Sequence, residues 1–233
     1  MRAPGLAQAA AALHDGDAVV IPFPSPLPYA VAATEAAAVN QAKGRPRDQP
    51  CGMLLAAAGD LVPHLDLDPA TIELSIWIAQ VEQANLLVPL RPDAPRWLRR
   101  GSANNRVGVA LAWLAQTRPL AREFGHLFVS SANRTGGPVG VTAPEADAIF
   151  HGRRLVLNGD PFRDATTARG SATIVDVQRS GLRVVRDGIN NRSLAADHAA
   201  YLHNLHRRFA AARASGAARM VDRTGLDHSP RQA

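Results

Sequence analysis

The sequence predicts a mixed α/β fold, a twisted mixed sheet with flanking helices. Short apolar runs bounded by turn residues, which are typical of buried strands, alternate with helical patterns as far as residue 158. From there to Gly188 more strands follow with little helix between them. A chain of 233 residues is long enough to bury such a core. We expect residues 1–190 to form one domain and residues 191–233 a basic C-terminal helix with a flexible tail.

The first quarter of the chain is expected to alternate helices with strands. Apolar spacing near 3.6 predicts the first helix, and a compact apolar run predicts the first strand. Four prolines at alternate positions, from Pro22 to Pro28, force the next stretch to be extended, because each residue before a proline is pushed out of the α region. An Ala-rich pattern then predicts a second helix. These elements span residues 4–14 (helix), 18–21 (strand), 29–42 (helix) and 52–56 (strand).

The same criteria place the remaining elements. Asp68 is a helix N-cap with Pro69 at the first helical position, and Thr142 with Glu145 resembles a capping box. The Arg-rich stretch 91–106 is expected to be irregular. The other predicted helices are 69–82, 113–124, 142–150 and 194–214, and the predicted strands are 85–90, 107–112, 127–130, 155–158, 172–177 and 182–186. Small and polar residues from 215 onward predict a frayed end.

Composition limits the classes of partner and compartment. The formal net charge of +6 and the pI near 10.8 favour anionic partners such as nucleotides or RNA. A single cysteine excludes a disulfide within the chain, which fits a reducing cytoplasm. Residues 18–34 carry no charge, but their prolines prevent a continuous helix, so we expect no membrane span. The eight histidines show no metal-binding spacing, so we expect no protein-bound metal.

The segment that starts at Lys43 is the first candidate site. Lys43 is the one lysine among 26 lysine and arginine residues. Its compact charge suits a phosphate oxygen, whereas the planar fork of Arg45 suits bidentate contact to phosphate or carboxylate. Gly44 between them lets the backbone approach a ligand closely. We expect Lys43 to be exposed for this contact, and a solvated basic turn without a ligand is the alternative.

Small polar residues also stand where predicted strands begin or end. Ser131 and Asn133 follow strand 127–130, a position where α/β sheets place ligand contacts. The alternative is a turn in which Asn133 bonds its own backbone. Ser171 and Thr173 either contact a phosphate or ribose or simply begin a strand. Arg186, at the end of the last predicted strand, either faces a phosphate or pairs with a nearby aspartate.

Taken in order, these motifs resemble those of the YrdC-like family, which includes the threonylcarbamoyl-adenylate synthases. The resemblance spans roughly residues 6–188. Its most specific parts are Lys43-Gly-Arg-Pro and Ser131-Ala-Asn, and Arg186 close before a glycine supports them.

The resemblance implies a twisted sheet around a wide basic groove. In the family, ATP, L-threonine and bicarbonate react in this groove to give threonylcarbamoyl-adenylate and pyrophosphate, and the adenylate is used to modify adenosine 37 of tRNA. Lys43 and Arg45 would be the catalytic pair that holds the triphosphate, its Mg²⁺ and the carbamate. By the same resemblance the nucleotide would also contact Ser131, Asn133, Ser171 and Arg186, and the amino-acid substrate would contact Ser25 and Thr173.

The chain departs from the family pattern on the amino-acid side. After the first strand the family has Pro-Thr-x-Thr-x-Tyr-Gly-Leu, which builds the threonine pocket, whereas this chain has a proline-rich run that retains one hydroxyl, at Ser25. Ala110 stands where the family has an arginine, and Gln49 stands where it often has a lysine. The nucleotide side of the motif is largely present.

Two functions therefore stay open. The first is an ATP-dependent synthase of threonylcarbamoyl-adenylate, or of a carbamoyl-adenylate made from another amine. The second is a non-catalytic or regulatory relative that binds a nucleotide or RNA, such as tRNA or double-stranded RNA, through the same groove. Release of pyrophosphate separates the two.

Overall fold

The computed structural model of the protein describes residues 5–111, 114–194 and 197–216. Most of the tail expected to be flexible therefore lies outside the described residues. No helix in the described part of the chain has the length and apolar character needed to cross a bilayer.

One mixed sheet organises the described residues, and it confirms the predicted fold class. Its nine strands in the described part of the chain are β1 (Val19–Pro22), β2 (Tyr29–Ala33), β3 (Gly52–Leu55), β4 (Asn85–Pro89), β5 (Ser102–Ala103), β6 (Arg106–Ala110), β7 (His126–Ser131), β8 (Ile174–Gln178) and β9 (Gly181–Arg186). Their spatial order is β1-β2-β7-β3-β6-β4-β8-β9, and β5 pairs with β6. The pairs β3–β6 and β4–β8 are parallel, and the other pairs are antiparallel.

Helices cover both faces of the sheet. The described helices are α1 (Leu6–His14), α2 (Ala36–Lys43), α3 (Pro69–Gln80), α4 (Arg96–Arg100), α5 (Arg118–Phe124), α6 (Ala143–Ile149), α7 (Ile189–Leu194) and α8 (His198–Ala214). On one face α2, α3 and α8 pack over the larger apolar core. On the other face α1 and α5 pack over a smaller core at the β1–β2–β7 side.

Two helix starts follow the predicted capping chemistry. The Asp68 carboxylate accepts hydrogen bonds from the backbone N–H groups of Ala70 and Thr71, both at 3.0 Å, and so caps α3. The Thr142 hydroxyl accepts from the Glu145 N–H at 3.3 Å and caps α6. The Glu145 carboxylate reaches back one residue further than a capping box requires, to the Val141 N–H at 2.8 Å.

The helix predicted for residues 29–42 is wrong in its first part. Tyr29–Ala33 is a strand whose five residues are all buried, and it pairs with β1 on one side and β7 on the other. A short apolar run buried on both faces has no period that distinguishes strand from helix, and its alanines favoured the wrong choice. The helix itself begins at Ala36, after Glu35.

Three other predicted elements also differ. Residues 155–158 form no named strand, and Val156 makes only an isolated parallel bridge with Val20. The stretch expected to be irregular, 91–106, contains α4 and β5. The predicted C-terminal helix begins at His198, where the Asp197 carboxylate caps it. Its apolar residues join the main core, with the Phe209 and Trp77 ring centroids 5.6 Å apart, so the described part of the predicted second unit shares the core of the first.

Candidate functional site

A groove of about 350 Å³ crosses the sheet face that carries the smaller core. Small residues on three strands form its floor, namely Ala30 on β2, Gly52 on β3, and Gly108 and Ala110 on β6. A Cβ added to Gly108 would meet only the Gly52 Cα, at 3.6 Å. The groove therefore exists because the sequence leaves this part of the sheet without large side chains.

The polar lining of the groove contains cations and neutral hydrogen-bonding groups. The polar residues that line it are Arg45, Asn85, Ser130, Ser131, Ser171 and Arg186. Of the described lining residues, none is acidic. Electrostatically the groove is thus suited to an anion, as a phosphate- or carboxylate-bearing ligand would be.

Lys43 does not line the groove but lies behind its wall, and its expected exposure is wrong. The side chain is only 4% exposed. Its ammonium donates hydrogen bonds to the Ser131 carbonyl, and to the carbonyl and side-chain oxygens of Asn133, both at 2.7 Å. Because three oxygens converge on one point charge, Lys43 fastens the C-terminal end of α2 to the end of β7.

The Lys43–Pro50 loop is held by a residue that sequence reasoning missed. Asn40 is fully buried, and its side-chain N–H₂ donates to the carbonyls of Arg47 at 2.9 Å and Gln49 at 2.8 Å. Its side-chain oxygen accepts from the Arg45 Nε. These hydrogen bonds connect the loop to α2 and hold Arg45 at the groove. An asparagine inside an Ala-rich helix, three residues before Lys43, was the available signal.

The environment of Lys43 also changes its protonation. Burial and the neighbouring charge of Arg45 lower the pKa of Lys43 to about 8. Close by, the Arg45 Nη2 lies 3.0 Å from the Cys51 sulfur, and burial raises the pKa of that thiol, which keeps it neutral at pH 7. At pH 7 the three oxygens around Lys43 therefore face a charged ammonium.

The pKa of Lys43 can be measured without overlap from other lysine signals, because the chain has no other lysine. We expect its ammonium to lose its proton at a pH near 8, so that it is charged below that pH and neutral above it. Carbon-13 NMR of the lysine Cε in lysine-labelled protein measures this directly. In urea the same signal should titrate near 10.4, the value of a solvated lysine. A folded-state value near 10.4 would contradict the burial of Lys43.

Ser131 and Asn133 form the other half of this contact. The Ser131 hydroxyl donates to the Asn133 side-chain oxygen at 2.7 Å, and the Asn133 side-chain N–H₂ donates to the carbonyls of Arg134 and Gly137, each at 3.0 Å. Ser131 lines the groove, whereas Asn133 stands behind it with Lys43. Asn133 therefore orders the turn after β7, as the alternative interpretation proposed, while it also completes the lysine cage.

The remaining predicted site residues divide between the groove and the core. Ser171 and Arg186 line the groove, where the Arg186 Nη2 donates to the Ala172 carbonyl at 2.8 Å. Thr173 is fully buried, and its hydroxyl donates to the Asn191 side-chain oxygen at 2.8 Å, so it does not reach the groove. The Ser25 hydroxyl also points elsewhere, to the Asp164 carbonyl at 3.4 Å. The structure thus brings Arg45, Ser131, Ser171 and Arg186 to one groove.

An apolar wall closes the groove on the side of the proline-rich run. It is made by Phe23, which is 6% exposed, and Leu27, which is 2% exposed. Behind it, the Tyr29 hydroxyl donates to the Asp160 carboxylate at 2.9 Å, and the Arg163 guanidinium lies 4.8 Å from the Tyr29 ring centroid. Burial raises the pKa of Tyr29 to about 12, so the phenol stays protonated. No local pattern predicted this network, because Tyr29 lies more than a hundred residues before Asp160 and Arg163 in the sequence.

No protein metal site accompanies the groove in the described residues. Among them there is no group of three or more His, Cys, Asp or Glu side chains that could hold a metal ion.

The fold and the groove together define an α/β protein with a cleft lined by arginine and neutral hydrogen-bonding groups. The sequence model of the Sua5/YciO/YrdC family, described as "Telomere recombination", matches residues 11–188, and the chain belongs to this family. The resemblance inferred from the motifs is thereby confirmed.

Named relatives and solved structures agree with this membership. A Mycobacterium leprae protein named "Putative threonylcarbamoyl-AMP synthase" is 30% identical over 195 residues, which cover 80% of this chain and 84% of the relative. A Mycobacterium tuberculosis protein of the same name is 28% identical, over 80% of this chain and 85% of the relative. The E. coli YciO structure aligns with a TM-score of 0.61 at 15% identity, over 80% of this chain and 90% of YciO.

A longer relative shares the same fold. P. abyssi Sua5, solved in complex with L-threonine, aligns with a TM-score of 0.60 at 21% identity, over 78% of this chain. This chain spans about half, 54%, of that Sua5 chain. At these identities the alignments to solved structures show the fold.

Proposed function

We propose that this protein is an ATP-dependent synthase of a carbamoyl-adenylate, of the threonylcarbamoyl-AMP synthase type. The observation that carries the proposal is the groove itself. It gathers Arg45, Ser131, Ser171 and Arg186 over a floor of glycine and alanine, in a chain that belongs to the Sua5/YciO/YrdC family. A solved member of the family binds L-threonine, and relatives carry the synthase name.

The proposed reaction has two steps. The amine of the amino acid first adds to bicarbonate to give the N-carboxylate and water. A carboxylate oxygen of this carbamate then attacks the α-phosphorus of ATP, a new P–O bond forms, and the bond to the β-phosphate oxygen breaks. The products are the acyl-type adenylate and pyrophosphate. Mg²⁺ would come as part of the ATP substrate and neutralise the phosphate charge.

The protein's contribution to this reaction is position and charge. Adenylyl transfer requires that the carbamate and the triphosphate be aligned and that the charge on the transferred phosphorus be neutralised. Arg45, which Asn40 holds at the groove wall, would contact the phosphates. Lys43 and Asn133 act on this site from behind, by holding Ser131 and the turn after β7 in place. Modification of tRNA with the product is part of the same proposal.

Two observations favour a second candidate function, in which the protein binds a nucleotide but does not catalyse adenylate formation. The Lys43 ammonium is already engaged by three protein oxygens, so it is not free to neutralise a triphosphate without leaving them. Ala110 stands in the groove floor where the family pattern has an arginine. A groove with fewer free cations binds a nucleotide but neutralises less charge as the phosphorus is transferred.

We expect pyrophosphate release when ATP, Mg²⁺, bicarbonate and an amino acid are combined with the protein, and an adenylate of matching mass in the products. Arg45→Gln should lower the rate by about ten- to a hundredfold, the loss of one charge-assisted contact. Arg47→Gln, an exposed arginine of the same loop that does not line the groove, is the matched control and should retain the rate. ATP binding without pyrophosphate release from any amino acid would favour the non-catalytic function.

A further inference from the structure

We propose that the protein has a second binding site, separate from the groove, and that its ligand is a guanidinium group. The site is a pocket of about 480 Å³, and its side chains come from Asp60, His64, Trp97 and His126. It shares no described lining residue with the groove. The inference therefore goes beyond the proposed function and holds whatever the groove binds.

Strand β7 places this pocket at a distance from the groove. His126 begins the strand and pairs with Leu55, the last residue of β3. Ser131 ends the same strand and lines the groove. An extended strand rises about 3.4 Å per residue, so His126 and Ser131 lie about 17 Å apart. The pocket and the groove are thus two sites at opposite ends of one strand.

Short turns bring the other side chains to this end of β7. Two 3₁₀ turns follow β3, Ala58–Asp60 and Val62–His64, and their last residues carry the carboxylate and one imidazole. The His64 carbonyl accepts a hydrogen bond from the Arg91 N–H at 2.8 Å, so the segment that leads into α4 lies against the second turn. Helix α4 then supplies Trp97.

The aromatic part of the site is the stack of Trp97 on His126. Their ring centroids are 4.8 Å apart, their planes differ by 28°, and both residues are half-buried. The His126 ring also meets the Phe128 ring edge-on, at 5.9 Å between centroids. Burial lowers the pKa of His126, so its ring is neutral at pH 7. The stack therefore offers a π surface and a nitrogen acceptor without a positive charge.

The charge at the pocket is negative. The charged groups that act on His126 are those of Glu35, Asp60 and Arg100. Arg100 donates a hydrogen bond to the Glu35 carboxylate at 2.9 Å, and this pair balances its own charge. Among the described residues no ion pair or hydrogen bond engages the Asp60 carboxylate, so its charge stays unbalanced at the pocket.

The other arginines of α4 do not reverse this balance. Neither Arg96 nor Arg99 lines the pocket. The Arg99 Nε donates to the Ala94 carbonyl at 2.7 Å, which holds that side chain toward the start of the helix. Arg96 is exposed, so water and salt screen its charge.

A carboxylate beside an aromatic face matches the chemistry of a guanidinium. The planar cation stacks on the indole of Trp97, and its fork donates two hydrogen bonds to the Asp60 carboxylate. A metal ion does not fit, since the described residues contain no group of three side chains that could hold one. An anion does not fit either, because no described lining residue is a lysine or an arginine. Small guanidino compounds and the arginine side chains of other proteins both carry the required group.

Butylguanidinium and butylurea test the charge of the ligand, because they are a cation and its neutral isostere. In protein labelled with nitrogen-15 tryptophan, the Trp97 indole N–H signal should shift saturably with butylguanidinium, with a dissociation constant of about 1 mM or below. The chain has three tryptophans, and Trp97→Phe assigns the signal. Butylurea should bind at least about tenfold more weakly, the loss of one charge-assisted contact. Equal binding of the two compounds, or binding of AMP at this signal, would overturn the cation assignment.

Asp60→Asn tests the carboxylate. We expect the dissociation constant for butylguanidinium to rise about 10- to 100-fold, and since Asp60 is exposed, the variant should fold normally. Asp93→Asn is the matched control, because Asp93 lies just before α4, is 81% exposed, pairs with Arg91 at 3.8 Å and does not line the pocket. It should bind as the unchanged protein does. Normal binding by Asp60→Asn would show that the pocket is not the site.

Gly108→Val separates this site from the groove, whose floor it would fill. The variant should bind butylguanidinium with unchanged affinity, and ATP should not displace the cation from the unchanged protein. Both results are expected whether or not the groove forms an adenylate. Loss of cation binding in Gly108→Val, or displacement by ATP, would place the cation in the groove and contradict a second site.

Two further ligands identify the source of the guanidinium. Agmatine represents a small guanidino compound, and a terminally blocked Gly-Arg-Gly peptide represents the arginine side chain of a protein partner. Both should shift the Trp97 signal, and the one with the lower dissociation constant names the source. If neither binds, the site does not take a guanidinium and the inference is wrong.

Discussion

Gly108→Val should abolish ligand binding while the protein stays folded. Gly108 lies in the groove floor, and an added Cβ meets only the Gly52 Cα at an ordinary 3.6 Å, so the valine methyls extend into the cavity. We expect ATP affinity and pyrophosphate release to fall at least a hundredfold, since misplacement by about 1 Å already costs about that much. The free energy of unfolding should stay level or rise by up to about 1 kcal/mol, because valine suits a strand better than glycine.

Gly59→Val is the matched control for this prediction. Gly59 lies in the short 3₁₀ turn Ala58–Asp60, has no atom within 4 Å of an added Cβ, and does not line the groove. Its ligand affinity should equal that of the unchanged protein. Titration calorimetry and urea unfolding measure both quantities on each variant. If Gly108→Val binds ATP normally, the groove is not the nucleotide site.

Lys43→Ala should destabilise the fold as well as slow the reaction. Removing the ammonium removes three charge-assisted hydrogen bonds, to the Ser131 carbonyl and to two Asn133 oxygens, at a position where Lys43 is 4% exposed. The Ser131 carbonyl keeps the Asn133 N–H as a donor, and the Asn133 side-chain oxygen keeps the Ser131 hydroxyl. A hydrogen bond to a charged group contributes about 1.5–3 kcal/mol, so we expect a loss on the order of 3 kcal/mol in the free energy of unfolding. Lys43→Arg should also destabilise, because a planar fork cannot occupy the point where three oxygens converge.

The Lys43→Met variant separates the stability that comes from the charge of Lys43 from the stability that comes from the packing of its aliphatic side chain. It keeps an unbranched side chain of similar length, so any stability that it loses relative to Lys43 belongs to the ammonium and its three hydrogen bonds. Arg47→Ala, at an exposed position in the same loop, should change the free energy of unfolding by less than about 0.5 kcal/mol. Urea unfolding of all variants gives the comparison, and a Lys43→Ala midpoint equal to that of the unchanged protein would show that the cage contributes nothing.

Lys43 illustrates what a sequence can and cannot predict. Its unusual occurrence, as the one lysine in a chain that otherwise uses arginine, marked it for attention and pointed to the segment around it. The direction of its side chain was wrongly expected, because burial depends on β7, which lies almost ninety residues away in sequence. Motif order placed Arg45, Ser131, Ser171 and Arg186 in a common site, but no local pattern could show that Lys43 stands behind them.

The fold errors have the same physical origin. Strands bounded by turn residues, such as β7, were predicted to within a residue or so because turn chemistry is local. Tyr29–Ala33 was taken as helix because its status as a strand comes from neighbours on both sides, β1 and β7, and the second of these follows about a hundred residues later. The empty groove floor was equally hidden, since Gly52 and Gly108 become neighbours only through the parallel pairing of β3 and β6.

The strand order also determines when in folding the site comes into existence. Strand β7 inserts between β2 and β3, and β8 adds beside β4, so pairings between residues about 70 to 100 positions apart must form before the groove is closed. Such non-local pairings fold slowly, because the entropy of closing long loops is lost before the contacts compensate for it. During synthesis the groove is incomplete until Arg186 has emerged, so a nascent chain stopped earlier cannot bind as the full site does. The complete groove therefore forms late in folding, and binding of a ligand to it would indicate that the whole sheet has assembled.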